Sequence, residues 1–372
     1  MSNLKNIVSR MLRNDGNPWY LFPLYLGSIL YSGVVSLRNR SYDSGLLAVK
    51  KLDCRVISVG NITVGGTGKT PMVIMLANLF KEKGYRPAIL SRGYGGKGKG
   101  RVNIVSDGKN LLMNPEKAGD EPVLMAKSVR NVPVITGKNR HLTGKYAIEH
   151  FGTDVLILDD AFQHRSLFRD IDMILLDNQK PFGNGFTIPR GELREPVNAL
   201  GRADIIVKTG GNSGQWSGVR GQGIGDGRQE AGERRQEIGA HIFEAYRRPV
   251  ALLRGKAGDV YPLDYLRGKK ILAFAGIARP DSFKKTIESV GGEVVAFLSF
   301  PDHHVYTQGD LIKIKKAASQ SAAEIILTTE KDGIKLIGFP DFLRDTYSLK
   351  IEMEILSSWE EFQNIIQEKL TT

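Results

Sequence analysis

RVISVGNITVGGTGKTPMVIMLANLF, residues 55–80, decides how the rest of the chain is read. Residues 55–59 have the β-branched, apolar character of a short strand. Gly65, Gly66 and Gly68 then make a turn that ends in Lys69 and Thr70. From Pro71 onward apolar residues recur at helical spacing, and proline is tolerated in a first helical turn. Strand, glycine loop, Lys-Thr and helix make a phosphate-binding architecture. The amides of Gly65, Gly66, Thr67, Gly68, Lys69 and Thr70 would face the anion together with the helix N-terminus. Lys69 would reach the outer phosphates, and the Thr70 hydroxyl would ligate Mg²⁺. A strict G-x-x-x-x-G-K-[ST] pattern needs glycine where Thr63 stands, so the match covers the GGTGKT end.

Length and composition bound the reading from outside. A chain of 372 residues can bury a substantial core and predicts two domains. With 41% hydrophobic and 25% charged residues, the composition is that of a globular protein. The net charge of +12 points to an anionic partner: nucleic acid, an acidic membrane surface or a phosphorylated substrate. One cysteine, Cys54, excludes an internal disulfide and a cysteine-based zinc site, as suits a reducing compartment.

Upstream of the glycine loop, residues 18–37 read PWYLFPLYLGSILYSGVVSL without a charge. Trp19, Tyr20, Tyr25 and Tyr31 are aromatics of the kind found at a bilayer interface. The run approaches the ~20 residues of a spanning helix, but Pro23, Gly27 and Gly33 interrupt it. It predicts a membrane-associated helix lying on or dipping into the bilayer. Lys5, Arg10 and Arg13 before it, and Arg38 and Arg40 after it, would hold it to an anionic leaflet.

Downstream the α/β rhythm continues. A strand at 87–91 leads into SRGYGGKGKGR, a basic glycine-rich loop at a strand end, where open α/β sheets bind ligands. GDEP, with Asp120 as N-cap, opens a helix, and a strand at 132–135 precedes a helix carrying Arg140 and His141. Residues 155–158 form a buried strand ending in Asp159 and Asp160. An apolar strand with a terminal aspartate beside a phosphate loop is the Walker B arrangement, whose carboxylate holds Mg²⁺. A strand at 171–176, a loop carrying Arg190, Arg194 and Glu195, and a strand at 203–208 close the series. Residues 210–239 turn glycine-rich and polar, and read as a disordered insertion at a domain boundary. Beyond it strands at 271–275, 293–298 and 325–328 restart the α/β pattern. FPDHH between them holds Asp302, His303 and His304. A carboxylate beside a histidine can tune a proton acceptor, or the pair can simply cap a loop. No further His or Cys motif supports zinc.

The expected fold is α/β in four parts. A membrane-associated helix with basic flanks (1–40) precedes a P-loop NTPase-like parallel-sheet domain (41–209). The polar insertion (210–239) and a second, smaller α/β domain (240–372) follow.

GNITVGGTGKTP, LSRGYGGK, GDEP, LDDAFQHR, GELREP, AFAGIARP, FPDHH and TTEKD stand in this order. In that order they resemble the tetraacyldisaccharide 4′-kinase (lipid A 4′-kinase) family, over the chain from its apolar helix to about residue 336. Ala161 stands where a glycine is usual in DDGFQH, Ala278 lies in a variable stretch, and the 210–239 insertion is atypical. The resemblance implies ATP-dependent phosphorylation of the 4′-hydroxyl of a tetraacyldisaccharide 1-phosphate in lipid A biosynthesis, with Mg²⁺. It implies an acylated disaccharide phosphate lipid and an anionic membrane surface as partners, and no nucleic acid. The place of action would be the cytoplasmic face of the bacterial inner membrane, with the enzyme peripheral or monotopic. By motif match, Lys69 contacts the β/γ-phosphates, and Thr70, Asp159, Asp160 and Glu195 form the metal set. Asp120 is the base for the 4′-hydroxyl, paired with His303 and with Asp302 orienting the imidazole. Arg140 and Arg194 partner phosphate charge, and Gln163 and His164 have no assigned role.

Two other readings compete. A P-loop GTPase or ATPase switch, or a metallochaperone-like protein, also carries GGTGKT. TTEKD sets Lys331 directly against Asp332, the wrong spacing for a guanine-specifying N/T-K-x-D, and Val64 replaces the extra lysine of partitioning ATPases. A basic nucleic-acid binder would need a module or an aromatic–basic stacking pattern that the sequence does not show.

Overall fold

The computed structural model describes residues 19–210, 239–255 and 258–371. The basic N-terminal flank and the interior of the 210–239 insertion lie outside the described residues.

The strands are β1 (Arg55–Gly60), β2 (Pro87–Ser91), β3 (Asn103–Ser106), β4 (Val134–Thr136), β5 (Val155–Asp159), β6 (Ile171–Asp177) and β7 (Ile205–Thr209). A second series follows: β8 (His241–Arg254), β9 (Asp259–Tyr261), β10 (Lys270–Ala275), β11 (Glu293–Ser299), β12 (Ile325–Thr329) and β13 (Thr346–Ile355). All thirteen join one sheet in the order β11-β10-β12-β13-β8-β7-β6-β1-β5-β2-β4-β3, with β9 paired to β8. The principal helices are α1 (Phe22–Asp43), α2 (Lys69–Glu82), α3 (Asp120–Ser128), α4 (Arg140–Phe151), α5 (Pro280–Ser289), α6 (Gln308–Gln320), α7 (Glu330–Lys335) and α8 (Trp359–Thr371).

One long strand creates the cleft. The first five residues of β8 pair parallel with β7, up to Thr209 against Ala245. The strand then runs on past the end of β7 and pairs antiparallel with β13, reaching Arg254 against Tyr347. β13 in turn runs parallel to β12, with Leu349 opposite Thr329. The second set of parallel strands therefore points back toward the first. Leu349 lies opposite Leu252 of β8, seven residues beyond Ala245, or roughly 23 Å of strand. The C-terminal ends of β1, β5 and β2 consequently face those of β10 and β12 across a gap. Strand C-termini are where open α/β sheets bind ligands, and here two such edges confront each other.

Packing follows the expected periodicities. α2 buries Met72, Val73, Leu76, Ala77, Leu79 and Phe80, an i, i+4, i+7, i+8 face set against β1 and β5. The last helix does not stay with the second strand set. α8 returns to the first core, where Phe362 meets Phe243 of β8 edge to face with ring centroids 5.0 Å apart. Lys369 Nζ there lies 2.6 Å from Asp204 Oδ1.

The turn out of β1 is tightly built. A Cβ on Gly60 would lie 2.6 Å from Phe162 Cβ and 2.9 Å from the Phe162 amide nitrogen. Gly60→Ala is therefore expected to destabilise the protein by about 1–3 kcal/mol through overpacking, read as a lower denaturant midpoint at unchanged slope.

α1 is amphipathic in the inverse sense of a core helix. Its polar side chains dock on the protein: Ser28 Oγ donates to Thr187 O at 2.6 Å, Tyr31 OH to Arg194 O at 2.9 Å, and Asn39 Nδ2 to Glu195 Oε2 at 2.8 Å. Phe22, Leu26, Ile29, Leu30, Val34 and Leu37 face outward, with Leu30 71% exposed. Among the described residues no helix is long and apolar enough to cross a membrane.

Candidate active site

The cleft between the two strand edges has a volume of about 1560 Å³. Single small-molecule sites run to roughly 300–1,000 Å³, so this one has room for two substrates.

Its floor is the glycine loop. Gly65 and Gly68 have φ of 130° and 91°, and Gly68 is the N-cap of α2 with no side-chain cap. The first-turn amides of α2 are thus left without a side-chain acceptor, the situation that favours an anion. Loop shape is held from beneath. Asn61 Nδ2 donates to Thr67 Oγ1 at 3.2 Å, Thr209 Oγ1 donates to Thr67 O at 2.8 Å, and Gln163 Nε2 donates to Asn61 O at 3.0 Å. Gly65, Gly66, Thr67, Gly68, Lys69 and Thr70 all line the cleft.

Asp159 and Asp160 lie beside the loop with different environments. Asp159, the last residue of β5, is buried, and its Oδ2 accepts from Ser91 Oγ at 3.0 Å. Its Oδ1 is buried with no hydrogen-bond partner. Burial, then the nearby Glu121 and Asp160 carboxylates, push its pKa well above the carboxylate range. Asp160 sits at φ 51°, uncommon for a non-glycine residue. Arg194 NH1 lies 2.9 Å from Asp160 Oδ1, and Lys69 Nζ lies 3.5 Å from that same atom. Burial works against the Asp160 charge, but Lys69 and Arg194 outweigh it and lower its pKa.

An orphaned, buried carboxylate oxygen, whose charge burial and neighbouring carboxylates disfavour, is what a divalent cation would satisfy. Among the described residues no three His, Cys, Asp or Glu side chains gather into a preformed metal cluster. Mg²⁺ needs none, since it takes one or two carboxylates, substrate phosphates and water. The Asp159–Asp160 pair with the Thr70 hydroxyl fits that demand.

Glu195 does not join them. Its carboxylate is buried away from the cleft, 3.0 Å from Arg202 NH2 and accepting from Asn39 of α1. Glu195 is therefore not among the residues that line the cleft, where the sequence reading set it with the metal ligands. Its Oε2, bonded to one cation and one amide, ties α1 to the body of the protein, while its Oε1 is buried without a hydrogen-bond partner. Glu192, three residues earlier, lines the cleft instead.

Asp120 is the first residue of α3 and faces the glycine loop from the side. His303, on the loop after β11, arrives from the opposite strand set, with Nδ1 3.6 Å from Asp120 Oδ2. That oxygen is buried and makes no hydrogen bond. Burial raises the Asp120 pKa, yet the His303 imidazole, Lys331 and Lys335 override it and hold the carboxyl at about 2. His303 has φ 57°, and contact with Asp120 raises its pKa against burial and Lys331. His304 turns the other way. It stacks on Phe300 with centroids 4.8 Å apart and meets Asp310 Oδ2 at 3.1 Å.

Arg140 is buried under β5, where one guanidinium nitrogen donates to Asp159 O at 3.3 Å and another to Gly137 O. Burial brings its pKa down to about 10. Gln163 and His164 line the cleft. Burial, then the surrounding arginines, depress the His164 pKa to about 4, so it is neutral near pH 7. Sequence reading missed the cleft residues Lys331, Arg247 and Arg279, and Lys335 behind Asp120. Lys331 and Lys335 come from TTEKD and its helix, while Arg247 packs behind Gly68 and Arg279 pairs with Asp177. Lys331 and Arg279 stand inside quoted motifs, which was the one available signal.

The matching family model is that of tetraacyldisaccharide-1-P 4′-kinase, over residues 18–371. The chain belongs to this kinase family. The tetraacyldisaccharide 4′-kinase of Syntrophus aciditrophicus is 51% identical over 360 residues, covering 96% of this chain and 95% of that protein. That of Desulfatibacillum aliphaticivorans is 40% identical over 381 residues, covering 100% and 99%. Among solved structures, LpxK from Aquifex aeolicus in complex with ATP superposes with a TM-score of 0.73 at 34% identity, covering 94% of this chain and 98% of that one. The tetraacyldisaccharide 4′-kinase fold is thus a mixed α/β architecture with one large central sheet, as found here.

Proposed function

We propose that the cleft performs the reaction of its family: transfer of the γ-phosphoryl group of ATP to the 4′-hydroxyl of a tetraacyldisaccharide 1-phosphate. The observation that carries this is the meeting of Asp120 and His303 beside the uncapped start of α2, although they arrive from opposite strand sets. The loop amides of Gly65–Gly68 hold the phosphates as a P-loop, and Lys69 neutralises charge on the outer ones. Thr70 with Asp159 and Asp160 would hold Mg²⁺, which supplies further charge neutralisation to the transferring phosphoryl group. Asp120 takes the 4′-hydroxyl proton as the oxygen bonds to phosphorus, and the electron pair of the breaking P–O bond leaves with ADP. Positioning and charge neutralisation dominate such loose transition states, so one buried carboxylate ringed by cations suffices as base. Arg194 and Arg140 support this electrostatic frame. The units that would close on the substrates are 41–209 and 240–372, with β8 as the shared strand.

The acceptor carries acyl chains, and α1 offers a surface for them. Its outward apolar stripe supports a membrane-associated helix on the inner membrane, on its cytoplasmic face where ATP is available. The polar face meanwhile anchors α1 to the loop that bears Arg194. Leu30→Glu combined with Val34→Glu is expected to lower binding to anionic vesicles about tenfold or more in a sedimentation assay, with the melting temperature little changed. Unchanged vesicle binding would sink the membrane role.

The direct test is label transfer from γ-labelled ATP to a tetraacyldisaccharide 1-phosphate in mixed micelles. Labelled bisphosphate lipid supports the assignment. ATP hydrolysis without labelled lipid removes the acceptor.

A further inference from the structure

Lys331, the second residue of α7, occupies the seam between the two strand sets with its side chain mostly buried. Its Nζ lies 3.0 Å from Glu121 Oε1 on α3, 3.6 Å from Asp302 Oδ1 and 3.4 Å from His303 Nε2. None of these contacts was visible in the sequence, where TTEKD read only as a motif. An ammonium carries three donors and no acceptor, so an imidazole nitrogen facing it must present a lone pair. A neutral imidazole has one protonated and one bare nitrogen. If Nε2 is bare, the proton is on Nδ1, the nitrogen that faces Asp120 at 3.6 Å.

We propose that Lys331 is a positioning residue: it donates to Nε2 of His303 and so holds the neutral imidazole in the Nδ1–H form, with that N–H directed at Asp120. The proposal deepens the reading of Asp120 as base and rests on it. The competing influence is Asp302, whose Oδ2 lies 3.9 Å from Nε2 and would favour a proton there. Lys331 is nearer to Nε2 and also faces Asp302, which blunts that pull. The other groups around the imidazole are Asp120 and Glu121 of α3 and the Tyr94 ring at 5.5 Å, with Lys335 on the far side of Asp120.

The fixed tautomer matters for the chemistry. A Nδ1 lone pair aimed at a carboxylate would repel it. A doubly protonated ring would lock Asp120 into an ion pair and weaken it as a base. Lys331 opposes both, because its charge also disfavours imidazolium. Asp120 itself keeps the proton removed from the hydroxyl, since Nδ1 is already protonated.

The test is ¹⁵N NMR of the full chain labelled at histidine, with His303 assigned by loss of its signals in His303→Gln. At about pH 9, where an ordinary histidine is neutral, the wild type should show a protonated Nδ1 and a bare Nε2. In Lys331→Met the His303 titration midpoint should rise by about one unit, and the acid limb of kcat/KM should move with it. Lys331→Arg, which can still donate, should return both toward wild type. A protonated Nε2 in the wild type overturns the proposal, as does an unmoved midpoint in Lys331→Met. If Lys331→Met does not fold, the wild-type tautomer decides alone. The NMR result is independent of phosphoryl transfer, so failure of lipid labelling would reject the base assignment and leave the tautomer measurement standing.

Discussion

Asp120→Asn is expected to lower kcat for lipid phosphorylation by on the order of 10²–10⁴, the range contributed by a positioned general base. Asparagine keeps the volume and the α3 start but cannot accept the proton. The KM for ATP should change little, because Asp120 lies to the side of the loop that would hold the phosphates. The pH profile sharpens the test. Asp120 is held at about 2, so it is ionised throughout the neutral range and cannot produce an acid limb there. Such a limb reports His303, whose pKa is raised, or Asp159, whose burial pushes its pKa up, and only the His303 part should respond to loss of Asp120. Removing Asp120 should therefore lower the plateau and also draw the His303 midpoint down, since the carboxylate is what raises it. Folded-state depression of the Asp120 pKa also means that its stabilising contribution is present above the unfolded value near 4 and is lost only as the pH falls toward 2. A full-rate Asp120→Asn enzyme would reject the base assignment.

Lys69→Met is the second large effect, on the order of 10²–10³ in kcat, as for loss of one charged or hydrogen-bonding group that acts on the transition state. Lys69 opens α2, and its Nζ stands 3.5 Å from Asp160 in a partly enclosed setting. There a counter-charge acts through a lower dielectric than water. Folding should survive, because Asp160 keeps its Arg194 partner at 2.9 Å and α2 keeps its apolar face. Matching melting curves beside a lost rate would place the effect in the reaction. A melting temperature that falls with activity would instead make Lys69 structural.

Much of this site was legible without coordinates. The strand expected at 87–91 is β2, and those expected at 55–59, 155–158 and 171–176 fall within β1, β5 and β6, each of which runs one residue further. Continuous apolar runs bounded by glycine and aspartate are the mark of buried parallel strands. The glycine loop, Lys69, Thr70 and Asp159–Asp160 are local in sequence, and their neighbourhood follows from strand–turn–helix geometry alone. His303, chosen over its neighbour in the sequence reading, is the one whose ring lies by Asp120, for a reason sequence could not supply. The left-handed backbone at His303 turns its ring toward Asp120, while His304 packs between Phe300 and Tyr306.

What was not legible depends on long-range pairing. No strand was expected at β8 or β13, because both mix charged and apolar residues and lack a long apolar run. Yet their antiparallel pairing reverses the second strand set and makes the cleft. Glu195 entered the metal set by motif resemblance alone, which says nothing of where its carboxylate points. Only the docking of α1 and the position of Arg202 showed where its carboxylate goes.

By itself, then, the sequence determined the glycine loop with Lys69 and Thr70, the adjacent aspartates at the end of β5, the apolar N-terminal segment and the kinship carried by its ordered motifs. These are properties of short segments, set by backbone geometry and side-chain type. Tertiary structure alone decided that Asp120 and His303 meet and that Lys331 lies between Glu121, Asp302 and His303. It also decided that the polar side of α1 faces inward and its apolar side outward. Each of those depends on contacts between residues far apart in the chain: those of α1 with the 187–195 loop, and those of Asp120, His303 and Lys331 once β8 has turned the second strand set back toward the first.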